Sequence, residues 1–111
     1  MPTLKEKKRY LAVQVHSKAT LQGFEELQAR IQEALITLAG TREAGKAGVQ
    51  LVDRRSDLAN NRALLRVHRR YLEHLRASLL FIEQVGGQPA SVRSLGASGM
   101  ITKAYQEYVA G

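Results

Sequence analysis

Hydrophobic and polar residues alternate in several short stretches of the chain, whereas elsewhere the hydrophobic residues recur every three or four positions. The alternating stretches are Tyr10–His16, Val49–Asp53, Ala63–His68 and Ser91–Leu95. Because successive side chains of a strand point to opposite faces, this period of two predicts four short β-strands. In the first strand, Leu11, Val13 and Val15 are expected to face the core.

The helical spacing predicts two long helices. The apolar positions of the first are Phe24, Leu27, Ile31, Leu35 and Leu38, and those of the second are Leu72, Leu75, Leu79 and Ile82. We expect Thr20 to cap the first helix and Gly40 to end it, and we expect Gly86-Gly87 to end the second.

A third, shorter helix is predicted over residues 100–109. Its apolar stripe consists of Ile101, Ala104, Tyr105 and Tyr108, and Ser98 is the expected cap. The order of all elements is then β-α-β-β-α-β followed by this helix. Right-handed crossovers on that order give an α+β fold, a ferredoxin-like or RRM-like α-β sandwich. We therefore predict an antiparallel sheet of order 4-1-3-2 with the two long helices on one face.

The composition changes this picture mainly through charge. The 111 residues suit one domain, and 17 Lys and Arg against 10 Asp and Glu give a net charge of +7. Cysteine is absent, which excludes disulfide scaffolds, thiol catalysis and cysteine-based zinc sites. No apolar run approaches the length of a membrane span, and residues 1–10 lack the apolar core of a secretory signal. We expect a single basic, cytoplasmic domain over residues 1–111 with a polyanionic partner.

The predicted topology brings much of the positive charge to one edge of the sheet. Strands one and two begin at this edge, and strands three and four end there. The basic residues placed at it, including those of an N-terminal arm over residues 1–9, are Lys5, Lys7, Lys8, Arg9, Lys46, Arg66, Arg69, Arg70 and Lys103. Ser98 and Gly99 add backbone N–H groups that suit a phosphate. Such clustering is typical of nucleic-acid binding.

The absence of aromatic residues from the third strand indicates how this edge would bind RNA. An RNA recognition motif carries aromatic residues there that stack on bases. The stretch Arg62–His68 contains none, and Tyr10 is the one candidate ring on the first strand. We therefore expect contacts with phosphates and RNA shape rather than with bases.

Two further surfaces are expected to bind protein. The sheet face away from the long helices would present Tyr10, Gln14, Leu64 and His68, a mixed and partly apolar set. The second helix contains Leu79, Leu80, Phe81 and Ile82 in succession, and one helix face cannot bury all four. Leu80 and Phe81 are therefore either at the margin of the core or in contact with a partner.

No catalytic constellation is expected in the polypeptide. His16 and His68 share a face but lie near opposite ends of their strands, roughly 20 Å apart at the usual rise per residue, which is too far for one metal ion. His74 has no matching partner, and no Ser/His/Asp arrangement or phosphate-binding glycine motif is present. We predict no catalytic residue, no metal site and no cofactor bound by the protein.

Three stretches together resemble the Pop-five family, to which archaeal ribonuclease P protein component 2 belongs. Leu4–Ala12 is similar to the opening of that family. Leu65–Tyr71, with the helix that ends in Gly86-Gly87, resembles its third strand and second helix. Arg93–Ile101 resembles its closing pattern R-x-L-G-x-S-G-x-I. Thr41–Asn61 carries no motif of the family.

The resemblance implies a function that composition alone does not. It implies a protein subunit of ribonuclease P, the endoribonuclease that removes the 5′ leader of precursor tRNA, with a catalytic RNA that holds the Mg²⁺. It also implies pairing with protein component 3 and self-association into a heterotetramer. Two alternatives remain open: another RNA-binding ferredoxin-like module, ribosomal or tRNA-associated, and an ACT-type domain that binds a small ligand.

Overall fold

The computed structural model describes residues 8–110, so Lys5 and Lys7 of the predicted basic arm lie outside the described residues. Within this range, five strands form one antiparallel sheet. They are β1 (Lys8–Ser17), β2 (Gln50–Leu51), β3 (Arg62–His68), β4 (Gln84–Val85) and β5 (Gln88–Ser98). Their order is β2-β3-β1-β5-β4. The predicted α+β class is confirmed, and the strand order differs from the predicted one by the additional edge strand β4.

Three helices cover one face of the sheet. They are α1 (Glu25–Ala39), α2 (Thr41–Ala47) and α3 (Leu72–Ser78). The core beneath them joins Leu27 and Ile31 of α1 and Leu75 of α3 to Leu11 and Val67 of the sheet. The apolar alternation of β1 therefore faces the core as predicted, with Leu11, Val13 and Val15 buried.

The first helix begins later than predicted. Phe24, not Thr20, precedes its first turn. The reason lies in the loop before it, where the Leu21 N–H donates to Asn61 Oδ1 at 2.9 Å and ties the segment to the start of β3. Gly40, with φ of 91°, ends the helix as predicted.

The second predicted helix is shorter than its apolar spacing suggested. It ends at Ser78, and Leu79–Phe81 continue as one 3₁₀ turn. Gly86 and Gly87 do not end a helix. With φ values of 62° and 79°, they form the two-residue turn of the β4–β5 hairpin, a conformation that favours glycine.

A fourth helical segment packs on the opposite face of the sheet. It consists of α4 (Ile101–Ala104) and a π-helical turn over Tyr105–Val109, together called the C-terminal helix below. Ala104 and Val109 are buried against Ala12 of β1 and Leu64 of β3. The sheet is therefore covered on both faces.

A hydrogen bond that joins α2 to the segment before α3 provides a test of this packing by pH. The Tyr71 hydroxyl donates to the Glu43 carboxylate at 2.5 Å. This bond lowers the pKa of Glu43 and raises the pKa of Tyr71. The carboxylate must be ionised and the phenol protonated, so the stabilisation is lost as pH falls below about 4.5 or rises above about 10.

We expect Tyr71→Phe to lower the free energy of unfolding at neutral pH and to lose that effect at both extremes. Urea unfolding of the two proteins at acid, neutral and alkaline pH measures the difference. A Tyr105→Phe variant, which leaves this bond intact, is the control. A difference independent of pH would show that the hydroxyl stabilises the fold without the ionised Glu43 carboxylate.

Candidate nucleic-acid interface

The start of β1 lies between the ends of β3 and β5, as the predicted topology required. Lys8 pairs with His68 at the end of β3, and Tyr10 pairs with Ser98 at the end of β5. Arg69 and Arg70 follow β3 directly in a 3₁₀ turn and are exposed. Lys103 is exposed on α4, which follows β5. We call the set Lys8, Arg9, Arg69, Arg70 and Lys103 the basic edge.

The Arg9 side chain contacts the backbone of β1 and the segment that follows β5. Its Nη1 donates to the Lys8 carbonyl oxygen at 3.0 Å. The same guanidinium lies against Gly99, where an added Cβ would be 3.3 Å from Nη1. A side chain at position 99 would therefore crowd the arginine, and glycine leaves room for it.

Hydrogen bonds at the ends of β3 and β5 hold the backbone of the basic edge. The Arg70 N–H donates to His68 Nδ1 at 3.1 Å, so the half-buried histidine caps the turn that carries the two arginines. The Met100 N–H donates to Ser98 Oγ at 3.1 Å. Ser98 thus forms a turn before α4 rather than the predicted helix cap.

Two basic residues predicted for this edge have local partners elsewhere. The Arg66 guanidinium donates to Gln50 Oε1 across the β3–β2 pair. Lys46 lies on α2 in the helix layer, and its Nζ is 3.6 Å from Glu43 Oε2. The side chains of Arg66 and Lys46 therefore each have a polar partner within the chain.

The predicted protein surface on the far side of the sheet is corrected by the structure. Leu64 is fully buried beneath the C-terminal helix, and Tyr10 packs against the same cluster. Gln14 is also engaged, because its Nε2 donates to the Asn60 carbonyl and its Oε1 accepts from Arg62. The physical reason is the apolar stripe of the C-terminal helix, which covers this face from within the chain.

Three residues that the sequence did not single out hold that helix in place. Gly96 lies beneath the Tyr108 ring, and a Cβ there would overlap it. The Arg55 guanidinium lies 5.2 Å from the centre of the Tyr105 ring, within cation–π range. Arg62 Nη1 donates to the Val109 carbonyl at 3.2 Å. The one sign of this packing in the sequence is Gly96 itself, because a glycine within a strand often marks a place where another segment approaches the backbone closely.

Leu80 and Phe81, for which the sequence left two alternatives open, are exposed. Leu80 is 83% exposed and Phe81 is 49% exposed. They lie on the 3₁₀ turn after α3, away from the C-terminal helix. This pair is the part of the predicted protein contact that the described residues do not cover.

The described part of the chain offers neither a metal centre nor a membrane span. Within residues 8–110, no three side chains among the histidines, aspartates and glutamates are close enough to hold a metal ion. Over the same range, no helix has the length and apolar character needed to cross a bilayer.

Comparisons with known proteins agree on one family. The model of the Rpp14/Pop5 family matches residues 9–109. Ribonuclease P protein component 2 of Thermococcus gammatolerans is 31% identical over 109 residues, covering 98% of this chain and 88% of that protein. The protein of the same name from Methanococcus vannielii is 30% identical over 108 residues, covering 97% of this chain and 79% of that protein.

A solved structure shares the fold. A chain in the cryo-EM structure of yeast ribonuclease MRP is similar with a TM-score of 0.65. The similarity covers 88% of this chain and 78% of that one, at 13% identity.

Proposed function

This chain belongs to the Rpp14/Pop5 family, and we propose that it acts as a protein subunit of ribonuclease P whose basic edge binds the RNA of that enzyme. The two relatives described above, of which the match covers 88% and 79%, are ribonuclease P protein components. The observation that carries the proposal is the convergence of Lys8, Arg9 and Arg69 at one end of the sheet. A polyanion is the partner that such an edge favours.

The mechanism that we propose is electrostatic. Folded RNA brings phosphates together, and their mutual repulsion opposes the compact active form. Arginine and lysine side chains that bind these phosphates release counterions and reduce the repulsion. The protein then lowers the Mg²⁺ concentration at which the RNA folds, while the RNA carries out the cleavage of precursor tRNA.

Reconstitution tests this role directly. We expect leader removal from precursor tRNA to require this chain when it is mixed with ribonuclease P RNA and protein component 3 at limiting Mg²⁺. The variant Lys8→Ala/Arg9→Ala/Arg69→Ala should need more Mg²⁺ for the same rate. Cleavage that is independent of the chain at every Mg²⁺ concentration would contradict the proposal. RNA binding without any activation would favour a different RNA-binding role.

We also propose that the exposed patch of Leu80 and Phe81 contacts a protein subunit, for which component 3 is the candidate. Burying a half-exposed phenylalanine removes apolar surface from water, and a charge in its place must be desolvated. We expect Phe81→Asp to abolish co-elution with component 3 in size-exclusion chromatography. Leu38→Asp, a change at another partly exposed apolar position, is the control. Retained co-elution of the Phe81 variant would place the contact elsewhere.

A further inference from the structure

The outer edge of β5 is only partly used. Within residues 8–110, β4 pairs with β5 at Gln88 and Pro89 alone. β5 continues to Ser98, and its inner edge is paired with β1 over most of that length. From Ser91 onward, the described residues supply no strand on the outer side.

The backbone groups of this edge point outward in a known pattern. The Ala90 N–H, directed to the outer side, donates to the Glu83 carbonyl at 3.0 Å. Because alternate residues of a strand direct their N–H and C=O groups to the same side, Val92 and Ser94 also present theirs outward. Such a row of groups can pair with an added strand.

An apolar side chain lies directly beside these groups. Leu80, 83% exposed, lines a cavity of about 310 Å³ with Val92, Ser94 and Arg93. Val92 belongs to the core under the helices, so the groove opens on that side of the sheet. A side chain entering it would meet leucine and strand backbone together.

The positive charge of the groove favours an acidic partner. Within residues 8–110 the lining of the groove contains no acidic residue, and it includes Arg76 and the β5 position of Arg93, whose side chain lies on the other face of the sheet. The Nε of Arg76 is buried without a hydrogen-bond partner, although its Nη1 is 3.3 Å from Glu73. A second copy would bring more arginine to the same place, which opposes self-pairing here.

We propose that the outer edge of β5 binds an extended acidic segment of a partner protein as an additional strand. The residues opposite Val92 and Ser94 are apolar and pack against Leu80. The residues between them are acidic and face Arg93, which pairs with Gln14 and so lies on the other face of the sheet. This inference specifies how the Leu80 side of the exposed patch binds protein.

The test uses the full chain and a short blocked peptide of alternating valine and glutamate, titrated in NMR amide spectra. We expect shifts centred on the amides of Val92 and Ser94. Leu80→Glu and Arg93→Glu should each weaken binding about tenfold, as central contacts do. Lys18→Glu, an equal charge change on an exposed residue outside this groove, should leave binding unchanged.

Several outcomes would overturn the proposal. A valine–lysine peptide that binds equally well would exclude the charge selection. Shifts centred elsewhere, or none at millimolar peptide, would exclude the edge. Protection of Arg93 by RNA, with no peptide binding, would assign this edge of β5 to nucleic acid. Because the titration contains no RNA, its failure leaves the proposed ribonuclease P role intact.

Discussion

The triple variant Lys8→Ala/Arg9→Ala/Arg69→Ala should lose about half of the salt dependence of RNA binding. If about six phosphates are contacted, the logarithm of the binding constant falls against the logarithm of the salt concentration with a slope of about −4 to −5. Removal of three contacts leaves a slope of about −2, because each contact releases its own counterions. Affinity at low salt should fall with it, since counterion release drives the binding.

Fluorescence anisotropy of labelled ribonuclease P RNA over a series of KCl concentrations measures the slope. The matched control is Lys18→Ala/Arg42→Ala/Arg54→Ala, which removes the same charge from exposed positions outside the basic edge. Circular dichroism checks that both variants are folded. Equal slopes for the two variants would mean that net charge, and not the basic edge, determines the binding.

Leu64→Ala should lower the free energy of unfolding by about 2–5 kcal/mol. Leu64 is fully buried between the sheet and the C-terminal helix, and its loss leaves a cavity under that helix. Urea unfolding gives the value. Leu80→Ala, at a position 83% exposed, is the control and should change stability by less than about 0.5 kcal/mol.

The Leu64→Ala and Leu80→Ala variants also test whether the far face of the sheet is part of the core or a docking surface. If Leu64→Ala left stability unchanged but abolished binding of a protein partner, the far face of the sheet would be a docking surface and the helix would not cover it. Loss of stability with partner binding retained would agree with the burial seen here.

Periodicity predicted the main elements because the large apolar side chains of β1 and of α1 each lie on one face. Leu11, Val13 and Val15 alternate and Leu27 and Ile31 are one helical turn apart, so local spacing already states which side faces the core. The edge strand β4 escaped this reasoning. β4 has two residues, too few for any period, and the glycines after it were interpreted as a helix end.

The α2 helix was missed for a related reason. Thr41–Ala47 contains Gly45 and buries only Ala44 and Ala47, so its apolar pattern is weak. Tertiary contacts stabilise this helix, namely the Glu43–Tyr71 hydrogen bond and the packing of two alanines on the core. Neither contact is visible in a local window of sequence.

The sequence likewise predicts one part of the candidate site and not the other. The basic edge could be predicted because the topology alone brings Lys8 beside His68 and Arg69. The covered face could not, because an apolar stripe on a helix does not state which surface it packs against. Gly96 beneath Tyr108 supplies that information only once both are seen together.

The central place of β1 in the sheet also determines how the chain folds. β1 precedes both of its partners along the chain, and most of the chain separates it from β5. Contacts between such distant segments slow folding, because a long loop must close before they form. During synthesis, β1 emerges before both of its partners and remains an unpaired apolar strand until β3 follows. The strand most exposed to misassociation is therefore the one that later lies deepest in the fold.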